Sequence, residues 1–135
     1  MKEIRNAAKI PVIIGAIFIL LQNLLSYIKV NNILVSVFLN AGGILILLYS
    51  GYSSVRKHDL SLLKAAVVGA IVGSVGAMVQ FVITLPQMLE AVEKSGLLLT
   101  LFGVGISFPL VLFMYASVGV IFGLIGGFIA QKTKK

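Results

Sequence analysis

Four amide side chains are the residues of this sequence best suited to binding chemistry: Gln22, Asn23, Asn40 and Gln80. Each lies within a long apolar run, where a carboxamide can donate and accept hydrogen bonds without carrying charge. A buried amide needs hydrogen-bonding partners. The four amides therefore either bond to one another and to backbone carbonyls, which holds helices together, or line an outward-facing polar vestibule for a neutral or weakly charged solute. The sequence leaves both roles open.

The residues needed for acid–base, nucleophilic or metal chemistry are largely missing. The chain has no cysteine, and its one histidine, His58, stands in a basic stretch beside Asp59. A metal site would need further ligands. Within the apolar runs the only charged side chain is Lys64, near one end. Since proton relays and charged-substrate pathways use charged groups inside the membrane, we predict no enzyme, no metal, no cofactor and no proton-coupled transport.

The composition predicts an integral membrane protein. Hydrophobic residues make up 59% of the 135 residues, charged residues make up 11%, and the mean hydropathy is +1.11. Soluble domains have about 45–50% apolar and about 25% charged residues. The length suits a single domain, 1–135. The net charge of +7 comes from basic residues that flank apolar runs, so we predict no nucleic-acid partner.

Four apolar runs predict four transmembrane helices packed as a compact all-α bundle. They cover about 10–28, 33–52, 62–85 and 108–130. At 1.5 Å per residue, runs of this length suit a hydrocarbon core of about 30 Å. The first run follows a basic start, as the core of a signal peptide does. Because no small-residue cleavage site follows it, we predict a retained helix.

The segment 87–106 is predicted to lie in the membrane interface or to re-enter the membrane. Pro86 is expected to close the third helix, and the pattern of 87–95 suits a short amphipathic helix. One straight helix over 96–130 would be about 50 Å long. We therefore predict a break at 107–109, with Ser107 as N-cap and Pro109 in the first turn. The alternative is one helix kinked at Pro109.

Glycines recur at helical spacing in the third and fourth runs, as Gly-x3-Gly-x2-Gly. Lipid gives helices no hydrophobic reason to associate, so small residues that allow close backbone contact are the expected means of packing. The predicted packing residues are Gly69, Gly73, Gly76, Gly119, Gly123, Gly126 and Gly127. A second row of small residues, Ala66, Ala70 and Ser74, leaves room for another neighbour. A homo-oligomer is therefore a further expectation.

The basic residues predict the orientation in the cell membrane. With four spans, both termini and the 53–61 loop lie on one side, and only Lys29 and Lys94 lie on the other. We therefore predict that both termini are cytoplasmic. On that side a basic collar is expected to attract anionic lipid headgroups; it consists of Arg56, Lys57, Lys64, Lys132, Lys134 and Lys135.

The order of the glycines in the last three runs resembles a known kind of protein. The pairs Gly42–Gly43 and Gly51–Tyr52 come first, then Gly69-x3-Gly73, then Gly126–Gly127 before a basic tail. This order resembles that of small four-helix archaeal membrane proteins of unknown function. The resemblance implies a four-helix membrane fold, and it implies no activity and no site residue.

Overall fold

The chain is all-helical in the computed structural model, which describes residues 1–28 and 33–133; some side chains within 33–40 and 91–100 are not described. Its four helices are α1 (Lys2–Tyr27), α2 (Ile33–His58), α3 (Leu62–Ser95) and α4 (Leu97–Lys132). Over the described ranges there is no strand. The prediction of an all-α fold is confirmed.

The helices pack around the α2–α3 pair. The most extensive interface joins α3 to α4, α2 packs against both of them, and α1 packs against α2 and α3. Among the described residues α1 and α4 do not meet, so they lie on opposite sides of that pair. Gly69 lies beside Gly119 and Gly73 beside Tyr115, so α3 and α4 are antiparallel.

Three helices are long and apolar enough to cross a membrane. The segments are Lys2–Tyr27, Leu62–Lys94 and Leu101–Lys132. This is consistent with a membrane protein. The predicted span over 33–52 begins where several side chains are not described. The number of spans and the orientation therefore stay predictions.

The predicted helix breaks at the prolines are wrong. Helix α3 continues through Pro86 to Ser95, so 87–95 is not a separate helix. Helix α4 is continuous through Pro109, and Ser107 is not an N-cap; its hydroxyl donates to the carbonyl of Gly103 inside the helix. Proline removes only one backbone hydrogen bond from a helix, and apolar helices tolerate this loss where a neighbouring helix packs alongside.

The α3–α4 hairpin extends beyond the other two helices. With 34 and 36 residues, α3 and α4 are about 51 and 54 Å long, whereas the 26 residues of α1 reach about 39 Å. Gly96 alone connects α3 to α4, with φ 85° and ψ 150°. Only glycine adopts this conformation readily, so the reversal depends on Gly96.

The buried core lies near the end of the bundle that holds the α2–α3 loop. Leu60 of this loop packs into a cluster with Ala7 and Ala8 of α1 and with Val68 and Val72 of α3. A second cluster consists of Val55, Ala65 and Ala130. Most of these side chains are small, so the helices approach closely at this end.

Candidate functional site

Helices α3 and α4 are in backbone contact at Gly69 and Gly119. A Cβ atom added to either glycine would lie under 3.0 Å from the carbonyl oxygen of the other. Gly73 approaches the carbonyl oxygen of Tyr115 in the same way, and a Cβ on Gly123 would lie 2.9 Å from the carbonyl oxygen of Ala65. No side chain beyond hydrogen fits at Gly69 or Gly119 in this arrangement.

Helix α2 joins this contact through Gly51, which sequence reasoning did not include among the packing glycines. A Cβ on Gly51 would lie under 3.0 Å from the carbonyl oxygen and the Cα of Gly123. Gly123 thus has α2 on one side and Gly69 of α3 on the other. We call the four residues Gly51, Gly69, Gly119 and Gly123 the glycine junction, because three helices meet there.

The remaining predicted glycines lie outside the glycine junction. A Cβ on Gly76 would lie 3.3 Å from Cδ1 of Ile19 in α1, so Gly76 faces α1 and not α4. Gly126 lies against the carbonyl of Leu48 in α2, and Gly127 lies among side chains of α2 and α3. Among the predicted glycines, those with backbone contact between α3 and α4 are Gly69, Gly73, Gly119 and Gly123.

A buried row of serines in α2 accompanies Gly51. Ser50 and Ser54 are fully buried and Ser53 nearly so. The Ser50 hydroxyl donates to the carbonyl of Leu47 at 2.7 Å, and the Ser54 hydroxyl donates to that of Ser50 at 2.6 Å. Such bonds satisfy a small polar side chain within its own helix. The sequence Ser-Gly-x-Ser-Ser at 50–54 is the local pattern of small residues that forms this buried packing face of α2.

Two of the four predicted amides bond to each other. The Asn23 amide nitrogen donates to Oε1 of Gln80 at 3.0 Å and to the carbonyl of Ile19 at 2.8 Å, and the Gln80 amide nitrogen lies 3.5 Å from Oδ1 of Asn23. Both side chains are half-buried. The amide pair therefore links α1 to α3 directly.

The other two amides do not join this pair in the described part of the chain. The side chain of Gln22 is half-buried and makes no hydrogen bond to another described residue. The side chain of Asn40 lies outside the described residues. Gln80 also borders an open groove of about 200 Å³ between α3 and α4. Ligand pockets usually measure about 300–1,000 Å³. The groove is small and otherwise mostly apolar, and its lining includes Phe81, Thr84, Met88 and Phe108.

A double-mutant cycle on Asn23 and Gln80 tests whether the amide pair stabilises the bundle. We expect Asn23→Leu and Gln80→Leu each to lower the free energy of unfolding by about 1–2 kcal/mol, because each leaves the other amide without its partner. The double variant should lose less than the sum, with a coupling of about 1 kcal/mol. Unfolding in mixed micelles, followed by circular dichroism, measures these values. Additive losses would mean that the two amides do not interact.

The basic collar lies at one end of the bundle, where the helix ends bond to each other. Arg56 at the end of α2 donates to the carbonyl of Thr133 at 2.7 Å, and Lys64 of α3 forms an exposed ion pair with Glu3 of α1 at 3.0 Å. The hydrogen bond from Lys64 and its charge lower the pKa of Glu3. This ion pair therefore adds its full contribution to the free energy of unfolding at pH values above the ordinary pKa of glutamate. That contribution is lost as the pH falls through the lowered pKa of Glu3.

Two further collar cations contact aromatic rings. Lys57 donates to the hydroxyl of Tyr49 at 3.3 Å, and the Lys132 ammonium lies 4.8 Å from the ring centroid of Phe128. Residues 134–135 lie outside the described part of the chain. Each described collar cation thus has a contact within the protein.

No family model, curated protein or solved structure matches this chain. Within residues 1–28 and 33–133, no group of three or more histidine, aspartate or glutamate side chains could hold a metal ion. The contacts between the helices are therefore the basis on which a function can be inferred.

Proposed function

We propose that this chain is a four-span protein of the cell membrane with cytoplasmic termini and a non-enzymatic structural or interaction role. The observation that carries the proposal is the bond between Asn23 and Gln80. Amides that serve a solute pathway would surround a hydrated cavity, whereas amides that hold helices together bond to one another. This pair does the latter, which supports the structural role.

Glycine-mediated packing is the proposed source of cohesion between α2, α3 and α4. In lipid, helices gain most from van der Waals contact at close range and from hydrogen bonds between helices. The glycine junction brings three backbones within contact distance, and this supports the proposal. Contact at the glycine junction holds α2, α3 and α4 together near the α2–α3 loop, and the outer faces of these helices can contact partners.

Flux measurements distinguish this role from the alternative, a small channel or transporter for neutral solutes. That alternative draws on the groove beside Gln80. In liposomes we expect the wild-type protein to add no permeability to glycerol or urea beyond that of empty vesicles. A channel would conduct, and replacing Gln22, Asn23, Asn40 and Gln80 by leucine would abolish the flux. That result would contradict the proposed role.

Self-association through α3 is the second part of the proposed role. Ala66, Ala70 and Ser74 of α3 and Val120 of α4 line an open groove of about 420 Å³, which also includes the exposed side chains of Leu63 and Ile71. Small residues spaced four apart allow another helix to approach closely. A second copy of the same α3 surface is the proposed partner.

Replacing Ala70 by leucine tests this self-association. The larger side chain would fill the groove and hold a second α3 away, so we expect the dimerisation constant to fall about tenfold or more, corresponding to about 1.4 kcal/mol. Energy transfer between labelled copies in liposomes, measured over a range of protein-to-lipid ratios, gives the dimer fractions from which that constant is obtained. Ala41→Leu is the matched control, because Ala41 is exposed on α2. Equal dimer fractions in the two variants, or a monomeric wild type, would contradict the proposal.

A further inference from the structure

The first two turns of α1 carry a basic face that points away from the bundle. Lys2, Arg5 and Lys9 are all exposed. At 3.6 residues per turn, these three positions fall within about 60° of one another around the helix. Ala7, which lies about 140° or more from each of the three cations around the helix, is buried in the core, and so is Ala8. We call the three cations the α1 cation face.

The α1 cation face has no partner in the described part of the protein. No hydrogen bond or ion pair joins any of its side chains to another residue there. Glu3, the acidic neighbour, is held by Lys64 at 3.0 Å. Arg56 of the collar donates to the carbonyl of Thr133. The α1 cation face is therefore more available to an external anion than the collar is.

The same side of α1 becomes apolar immediately after the cations. Ile13, Leu20 and Leu24 are 51–55% exposed, and their positions lie within about 40° of Lys2 around the helix. This surface offers positive charge over two turns and hydrocarbon over the next four. A ligand that uses both parts needs an anionic head and a long apolar body. A soluble phosphate or a nucleic acid would use only the charges.

We infer that this side of α1 binds an anionic phospholipid. The phosphate lies among Lys2, Arg5 and Lys9, and an acyl chain lies along Ile13, Leu20 and Leu24. This inference rests on the proposed placement of α1 in a membrane. It assigns the headgroup contact to the start of α1 in place of Arg56, Lys57 and Lys132 of the collar, whose side chains already contact groups within the protein. Each cation close to an anionic headgroup is expected to contribute a factor of about five in affinity.

Two variants of equal charge separate this surface from a general effect of net charge. The first replaces Lys2, Arg5 and Lys9 by glutamine, and the control replaces Arg56, Lys57 and Lys132 by glutamine. Each lowers the formal net charge from +7 to +4, because three of the positive charges are removed. The control residues lie on α2 and α4, and α4 does not contact α1 in the described residues. The two triple variants therefore differ in where the charge is lost.

Lipid binding is measured by native mass spectrometry of the full chain in mixed micelles of phosphatidylglycerol and phosphatidylcholine. Orientation in a bilayer does not affect this measurement. We expect the wild-type protein to retain phosphatidylglycerol preferentially, the α1 variant to lose about tenfold or more of this preference, and the control to stay within about twofold. The single variant Arg5→Gln should lose about fivefold, and Lys2→Arg with Lys9→Arg should keep the preference.

Three results would overturn the inference. The first is an equal loss of phosphatidylglycerol preference in the two triple variants, and the second is a wild-type protein that shows no such preference. The third is displacement of the lipid by millimolar inorganic phosphate, which would make a soluble anion the ligand. Solute flux by the wild type would contradict the proposed function and leave the lipid result standing. The two failures are thus distinguishable.

Discussion

Replacing Gly69 by alanine is expected to lower the free energy of unfolding by about 3 kcal/mol. The added Cβ would lie under 3.0 Å from the carbonyl oxygen of Gly119. Backbone atoms of a packed helix cannot rotate away as a side chain does, so α3 and α4 must separate at the glycine junction. Added atoms in a well-packed site typically cost about 1–3 kcal/mol. A clash with backbone belongs at the upper end of that range.

Gly103→Ala provides the matched control for Gly69→Ala. Gly103 lies in the interior of α4, and a Cβ there would meet no atom within 4 Å. Alanine is a better helix former than glycine by about 1 kcal/mol, so this change should be neutral or stabilising. Unfolding in mixed micelles by added sodium dodecyl sulfate, followed by circular dichroism, compares the two variants. Equal stability of both would show that α3 and α4 do not depend on close contact at Gly69.

Gly51→Ala is expected to destabilise the protein by about 2–3 kcal/mol, through the contact between α2 and α4. Its Cβ would lie under 3.0 Å from backbone atoms of Gly123, and overpacking costs of this size are typical. The same unfolding measurement applies. The control in the same helix is Gly43→Ala, since a Cβ on Gly43 would meet nothing within 4 Å. If Gly43→Ala proved as harmful as Gly51→Ala, the general loss of glycine would be responsible instead.

Combining Gly51→Ala with Gly69→Ala tests whether the glycine junction acts as one unit. Both glycines lie against the same stretch of α4, between Gly119 and Gly123. Once one substitution has moved α4 outwards, the second should meet less resistance. We therefore expect a combined loss smaller than the sum of the two, as is usual for residues that share a partner.

The pattern of apolar residues was sufficient to predict an all-helical chain. Apolar runs long enough to span a membrane leave the backbone no hydrogen-bonding partners other than its own. The i, i+4 spacing also places Gly69 and Gly73 on one face of α3. These properties depend on neighbours in sequence, so the sequence contains the information.

The helix ends near the prolines could not be predicted in this way. A proline is a strong local signal for a helix boundary in water. In this chain α4 packs against α3 near both prolines, with the ring of Phe81, five residues before Pro86, 4.3 Å from the ring of Phe108, which precedes Pro109. Packing between residues that are distant in sequence outweighs the loss of one hydrogen bond.

The sequence by itself determined the helices, the apolar character and the clustering of positive charge. Only the tertiary structure decided which surfaces meet. It directed Gly76 towards α1, added Gly51 to the glycine junction and joined Asn23 to Gln80. It also left the cations at the start of α1 without partners among the described residues, whereas Lys64 and Arg56 bond within the protein. The physical reason is that helical periodicity fixes the face of a residue on its own helix. The crossing angles and relative heights of the helices, which follow from the packing of all four, fix its neighbour.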